Sequence, residues 1–188
     1  MRNAPAVDMR RISLVLLCFA PWAAPLPGAT LERLSLNDLI QKSTTIVRAK
    51  VLSSSADFSG SVIYTHWKLQ VEEMLKGTSQ PAEVLVPGGT ARGFRQSVPG
   101  TPALVPGKDY LMFLWVSKSG SIYLTGWGQG LFELTKNSSG GLVAWRPPVS
   151  ETMLDAATWL PVQDQGVRMS YAAIKGQISP AQAQGANQ

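Results

Sequence analysis

The stretch from Thr45 to Gly77 constrains the fold of this chain more than any other segment. It reads TIVRAKV, then a loop rich in serine and glycine, then VIYTHWKLQVEEMLKG. In both runs apolar and polar side chains alternate, which is the period of a β-strand with one buried face. Two such strands joined by a short polar loop predict a long β-hairpin that opens a small barrel or sandwich.

Shorter β-strands are predicted along the rest of the chain, bounded by glycine and proline turns. The predicted strands are 44–53, 62–75, 83–86, 109–116, 122–125, 130–135 and 142–145. Segment 109–116 is almost continuously apolar, which indicates a strand buried on both faces. Segment 90–98 is predicted to be an extended arm anchored by Phe94.

Two short helices are predicted, one at each end of the barrel. The first spans 35–43, where Ser35 can cap the helix and Asp38 can complete a capping box. The second lies near the C-terminus, where Val167, Tyr171 and Ile174 share a helical face with an isoleucine at position 178. After it the chain is rich in glutamine, alanine and glycine, a composition typical of disorder.

These elements predict a mainly β fold: a small Greek-key, OB-like β-barrel of five or six strands with a short N-terminal and a short C-terminal helix. A β-sandwich is the alternative. The predicted barrel domain covers residues 30–146, a C-terminal extension with the short helix covers 147–178, and a disordered tail covers 179–188.

The first 29 residues have the order of a secretory signal peptide. Arg10 and Arg11 precede an apolar run at 12–20, and prolines and small residues follow up to Ala29. The apolar run is much shorter than the roughly 20 residues that a membrane helix needs, so a membrane anchor is the less favoured interpretation. We therefore expect cleavage between Ala23 and Ala29, and a secreted or periplasmic protein without a membrane span.

The position of the single cysteine and the distribution of charged residues argue against thiol chemistry and nucleic-acid binding. Cys18 is the only cysteine and lies in the predicted signal peptide, where the bulky Leu17 before it argues against lipidation. The mature chain is then predicted to have no disulfide, thiol nucleophile or thiolate zinc site. The formal charge of the whole chain is +5, but its basic residues are scattered, whereas nucleic-acid binding requires a concentrated basic surface.

Three blocks occur in order along the chain, namely TTIVRAKV, LQVEEMLKG and PGKDYLMFL. Together they resemble the netrin-like, OB-fold module of the tissue inhibitors of metalloproteinases. The region from Leu34 to Trp145 is also similar to a class of uncharacterised exported bacterial proteins, in which LKG, PGG and a block like Gly126–Phe132 recur. The inhibitors act through an N-terminal cysteine that binds the protease zinc. No such cysteine is present here, so the resemblance implies the fold and not that chemistry.

His66 is the only histidine of the chain. A catalytic base needs an orienting partner and a nucleophile, and a zinc site needs further histidine or cysteine ligands. We therefore interpret His66 as neither catalytic nor metal-binding. In a strand it shares a face with Tyr64 and Lys68, which predicts a partly wet surface.

The predicted function is a non-enzymatic binding module without cofactor or metal. Most of the tryptophans of the mature chain are expected in the core, but Trp127 lies in a glycine-rich turn, and an exposed tryptophan is a candidate for partner binding. Trp127 and Gln129 are therefore the candidate partner-binding residues. The expected partner is another exported protein, either a protease or an envelope component. A protease-associated or inhibitor-like module is one alternative. A hydrolase is another, disfavoured by the absence of a G-x-S-x-G elbow.

Overall fold

A computed structural model describes residues 30–185 of the chain, with side chains as far as Ser179. In this range the helices are α1 (Leu36–Lys42) and α2 (Tyr171–Gly185), and a 3₁₀ turn spans Trp127–Gly130. The strands are β1 (Thr30–Glu32), β2 (Thr45–Ser59), β3 (Val62–Lys76), β4 (Glu83–Pro87), β5 (Gly89–Ala91), β6 (Phe94–Gln96), β7 (Asp109–Val116), β8 (Ile122–Leu124), β9 (Leu131–Lys136), β10 (Leu142–Arg146), β11 (Thr152–Leu154), β12 (Pro161–Val162) and β13 (Val167–Ser170).

The predicted mainly β, barrel-like fold is confirmed. Eight strands form one sheet in the order β13-β10-β9-β7-β2-β3-β4-β8. The sheet curls, since β8 also pairs antiparallel with β7. Parallel strands β4 and β8 meet through the single residue pair Leu85–Tyr123, so the arrangement is barrel-like but not closed. Two small sheets, β1-β11-β12 and β5-β6, complete the fold.

The predicted hairpin is formed by β2 and β3, which pair antiparallel from Ile46–Lys76 to Ser59–Val62. Strand β2 continues six residues beyond the predicted end at Ser53. Apart from Phe58, these extra residues are small or polar, and most are exposed, so they carry no alternating hydrophobic signal. Backbone pairing with β3 is what keeps them in the sheet.

Strand β7 separates two apolar cores, which confirms that it is buried on both faces. Met112 and Leu114 point into the barrel with residues such as Val47. Leu111 and Phe113 point to the opposite face, where both helices pack on the sheet. The part of the outer sheet surface that the helices cover is therefore a second apolar core. Two cores of this kind bury a large apolar area without a disulfide.

Helix α1 begins as predicted. The Ser35 hydroxyl accepts a hydrogen bond from the Asp38 N–H at 3.1 Å, and the Asp38 carboxylate accepts one from the Ser35 N–H at 2.9 Å. This reciprocal capping box satisfies backbone donors that the first helical turn leaves without partners. Leu39 and Ile40 then face the second core.

Segment 90–98 folds as the hairpin of β5 and β6 rather than as an arm held by an apolar anchor. The proposed anchor Phe94 is 67% exposed and contacts Phe58 edge-on, with ring centroids 6.1 Å apart. Phe94 therefore does not anchor this segment in the core. Its neighbours Arg92 and Arg95 are also exposed, so the tip of this hairpin is solvated.

The C-terminal extension contains strands as well as the predicted helix. Val167–Ser170 forms β13 against β10, and the helix begins only at Tyr171. It continues to Gly185 and so passes Ser179, where composition predicts disorder to begin, because alanine and glutamine are also good helix formers.

The predicted signal peptide, residues 1–29, lies outside the described residues. No helix between residues 30 and 185 has the length and apolar character needed to cross a membrane.

Candidate functional site

The outer surface of strands β3, β4, β8 and β7 carries a row of side chains that neither helix covers. His66 is opposite Leu85, Leu85 is opposite Tyr123, and Tyr123 is opposite Trp115. Opposite residues in neighbouring strands point to the same face of a sheet. The intervening residues of the same strands, among them Val84 and Leu124, point into the barrel core. The row therefore lies on the solvent side of the seam between β4 and β8.

An aromatic groove of about 420 Å³ runs along this seam. We define it by the four rings of Tyr64, Trp115, Tyr123 and Trp127. Its remaining lining residues are Leu85, Val86, Pro87, Pro102, Ser117, Leu124 and Gly126. Its size and its apolar lining with a few polar atoms are those of a binding site.

Ring stacking holds the groove in shape. Trp115 and Tyr123 stack with centroids 5.1 Å apart and planes 28° apart. Tyr64 meets Tyr123 edge-on, with centroids 6.1 Å apart. Such pairs stabilise by about 0.5–1.5 kcal/mol beyond area burial. The rings are therefore ordered without a ligand, and 40% of Trp115 is still exposed.

Trp127 is held in an unusual backbone conformation at one end of the groove. Its φ is +58°, in the left-handed region, and Gly126 before it has a φ of +64°. A bulky residue in this region costs free energy of order 1 kcal/mol or more, and such positions cluster at functional sites. Trp127 is 37% exposed, which confirms its predicted exposure.

Gln129 has a structural role instead of the partner contact predicted from sequence. Only 2% of it is exposed. Its side-chain amide donates a hydrogen bond to the Glu32 carbonyl at 2.9 Å and accepts one from the Leu34 N–H at 2.8 Å. Gln129 therefore ties the N-terminal segment to the turn that presents Trp127. As a buried residue it offers no side-chain surface to a partner.

The prediction that most tryptophans are in the core is wrong. Trp67 and Trp145 are half-buried, and Trp115, Trp127 and Trp159 are exposed. The two core clusters are filled by aliphatic residues, methionine, phenylalanine and tyrosine. Trp67 packs against the barrel core from a half-buried position.

Charge is absent from the groove and begins at its border. Among the described residues that line the groove, none is Asp, Glu, Lys, Arg or His. At the border, the Glu83 carboxylate lies 2.5 Å from Lys68 Nζ and 3.0 Å from His66 Nδ1. Hydrogen bonds from Lys68 and then His66 hold the pKa of Glu83 below its usual range. The charges of Glu83 and Lys68 therefore compensate each other locally.

A second depression of about 390 Å³ continues from the groove. It shares Trp115, Gly126 and Trp127 with the groove and extends to Glu32 and Lys42, which form an ion pair with each other. Within residues 30–185, no three His, Cys, Asp or Glu side chains are close enough to hold a metal ion. The described residues that line the groove are mostly aromatic or apolar and carry no charge, whereas the second depression also holds the Glu32–Lys42 ion pair.

Replacing His66 with glutamine should change the free energy of unfolding by no more than about 0.5 kcal/mol, as for ordinary surface substitutions. The His66 side chain is one third exposed, and Lys68 keeps its bond to Glu83 in the variant. Urea denaturation measures the stability, and elemental analysis measures bound metal. Stoichiometric zinc in the wild-type protein that vanishes in His66→Gln would contradict the interpretation of this residue.

Comparison of the chain with models of known protein families and with curated proteins finds no match. The resemblance to the netrin-like module therefore stays a prediction.

Proposed function

We propose that this chain is an exported, non-enzymatic binding module that holds a segment of another exported protein in the aromatic groove. The observation that carries the proposal is the pair of exposed indoles, Trp115 and Trp127, fixed at an uncovered seam. Tryptophan is among the residues that contribute most to binding energy at interfaces. Rings that are ordered before binding lose little conformational entropy when a ligand arrives.

The chemistry of the lining favours binding over catalysis. Indole rings, phenols and prolines supply contact area and hydrogen bonds. The tyrosine phenols are the titratable groups among the described lining residues, whereas acid–base catalysis near neutral pH most often uses histidine, aspartate or glutamate. His66 and Lys68 lie at the border of the groove, and both are bonded to the Glu83 carboxylate. Export, which the signal-like residues 1–29 predict, places the expected partner outside the cytoplasm.

Trp127→Gly should abolish selection of groove-binding peptides without harming the fold. Glycine adopts the left-handed conformation freely, so the substitution removes the ring and relieves backbone strain. Trp159 is the matched control: it also has a positive φ, of +56°, it is 68% exposed, and it lies outside the groove.

Selection from a phage-displayed library of random peptides tests this expectation. Peptides should be enriched on the wild-type protein and on Trp159→Gly, and the same peptides should be lost on Trp127→Gly. Circular dichroism and thermal denaturation verify that all three proteins are folded. Equal enrichment on the three proteins, or none on the wild type, would overturn the proposed function.

A further inference from the structure

We infer that the occupant of the aromatic groove is a proline-rich segment in the polyproline II conformation. This inference rests on the proposed function and specifies its ligand. Three features of the groove carry it: the state of the strand edges, the balance of hydrogen-bond donors and acceptors, and the absence of charge.

The strand edges at the groove leave little room for an added β-strand. Strand β8 pairs with β7 through three residue pairs on one side and with Leu85 of β4 on the other. Beyond Leu85, β4 continues only to Pro87, which has no N–H to give to a ladder. A peptide bound by strand addition needs such a row of backbone partners. The occupant must therefore be held by side chains, as a polyproline II helix is.

The polar side-chain atoms of the four rings are chiefly donors. The indoles of Trp115 and Trp127 can only donate, and the phenols of Tyr64 and Tyr123 can donate from O–H. These four groups make no hydrogen bond to another described residue. A ligand that complements these indole and phenol donors presents hydrogen-bond acceptors and has few N–H groups of its own. Proline meets both conditions, because it keeps its carbonyl and lacks the amide hydrogen.

Shape and charge agree with this assignment. Aromatic rings that line a groove accept proline rings between them, which is how such grooves recognise proline-rich segments. The polyproline II helix is already ordered in solution, so it loses little entropy on binding. Because none of the described residues that line the groove is charged, acidic, basic and phosphorylated motifs gain no electrostatic complementarity from them.

A neutral oligosaccharide is the other ligand that uncharged aromatic surfaces favour, and it fits less well here. Every sugar hydroxyl is a donor as well as an acceptor, and burial without a partner costs free energy. Apart from the four rings, Ser117 is the one polar side chain among the described lining residues, and its hydroxyl already accepts from the Ser121 N–H at 3.1 Å. The groove therefore has few side-chain acceptors for sugar hydroxyls.

Titration of the intact mature chain with three probes tests the inference. The probes are decaproline, a glycine–serine peptide of the same length, and cellohexaose, followed by tryptophan fluorescence and by chemical-shift changes in ¹H–¹⁵N spectra. Decaproline should bind saturably and shift the indole N–H signals of Trp115 and Trp127. Trp115→Ala and Trp127→Gly should each weaken its binding at least about tenfold, as expected for residues that dominate an interface. Trp159→Gly should leave it unchanged.

Three results would overturn the inference: equal binding of the glycine–serine peptide, binding of cellohexaose without decaproline, or decaproline binding that neither groove variant weakens. Trp127→Gly keeps the test decisive if Trp115→Ala does not fold. Groove-dependent peptides without proline, recovered from the phage library, would refute the proline-rich ligand and leave the proposed function standing. Failure of every peptide in both experiments would refute both.

Discussion

Replacing Asp164 with alanine should destabilise the protein by about 3–5 kcal/mol, the usual cost of removing one partner from a buried ion pair. Asp164 is bonded to Arg146 through both carboxylate oxygens, at 2.5 and 2.9 Å, and the two side chains are only 5% and 6% exposed. The same carboxylate accepts a hydrogen bond from the Val149 N–H at 2.8 Å. Its removal leaves a buried guanidinium without its carboxylate and takes the acceptor from the Val149 and Gly166 N–H groups, and both losses are costly.

Chemical denaturation of the variant beside Glu32→Ala measures this effect. Glu32 forms an ion pair with Lys42 in which both side chains are nearly half exposed, so its loss should cost no more than about 1 kcal/mol. The double variant Arg146→Ala/Asp164→Ala should cost less than the two single losses added together, since the charges are coupled. Equal effects of Asp164→Ala and Glu32→Ala would contradict the assignment of a buried, energetically important pair.

The same carboxylate predicts a component of acid sensitivity. Burial raises the pKa of Asp164, but the hydrogen bonds from Arg146 and the Val149 N–H outweigh it and bring the pKa down to about 2, from an ordinary 3.8. The unfolded chain then binds this proton more readily than the folded one. The stabilisation is therefore fully present above the ordinary pKa and is lost as the pH falls through about 2. The difference in stability between wild type and Asp164→Ala should shrink over this window, and a constant difference would contradict the assignment.

Leu111→Ala and Met112→Ala should each destabilise the protein by about 2–5 kcal/mol, although the two side chains point in opposite directions. Both are fully buried, Leu111 in the core under the helices and Met112 inside the barrel. Each truncation leaves a cavity that rigid neighbours fill only in part. Urea denaturation gives the free energies of unfolding.

Val116→Ala is the control in the same strand, because Val116 is exposed at its end and should change stability by about 0.5 kcal/mol or less. If either core variant behaved like this control, one face of β7 would be in contact with water and its central position between two cores would be wrong.

Local sequence determined the elements that depend on short-range pattern. Alternating side chains predicted the β2–β3 hairpin, the continuous apolar run predicted doubly buried β7, and the Ser35–Asp38 spacing predicted the helix cap. Each of these signals lies within a few neighbouring residues, so it can be read without knowing where the rest of the chain is.

The candidate site was only partly accessible from sequence. Exposure of Trp127 follows from its glycine-rich turn. Trp115 belongs to a run that predicts burial, yet it is exposed near the end of β7, on the outer face that neither helix covers. One sequence feature does indicate the pairing of Trp115. The serine- and glycine-rich turn 117–121 joins β7 to β8, and the hairpin register across this turn places Trp115 opposite Tyr123.

What sequence alone determined is a mainly β domain with capped helix α1 and a strand buried on both faces, because backbone propensity and side-chain period are local properties. Tertiary structure decided which residues meet: Gln129 with the backbone of residues 32 and 34, Arg146 with Asp164, and four rings at the seam of β4 and β8. The hydrogen bonds of Gln129 and the Arg146–Asp164 pair join residues 18 to 97 positions apart, and Tyr64 meets Tyr123 across 59 positions. They depend on strand order and sheet curvature, which no periodicity within a single strand encodes.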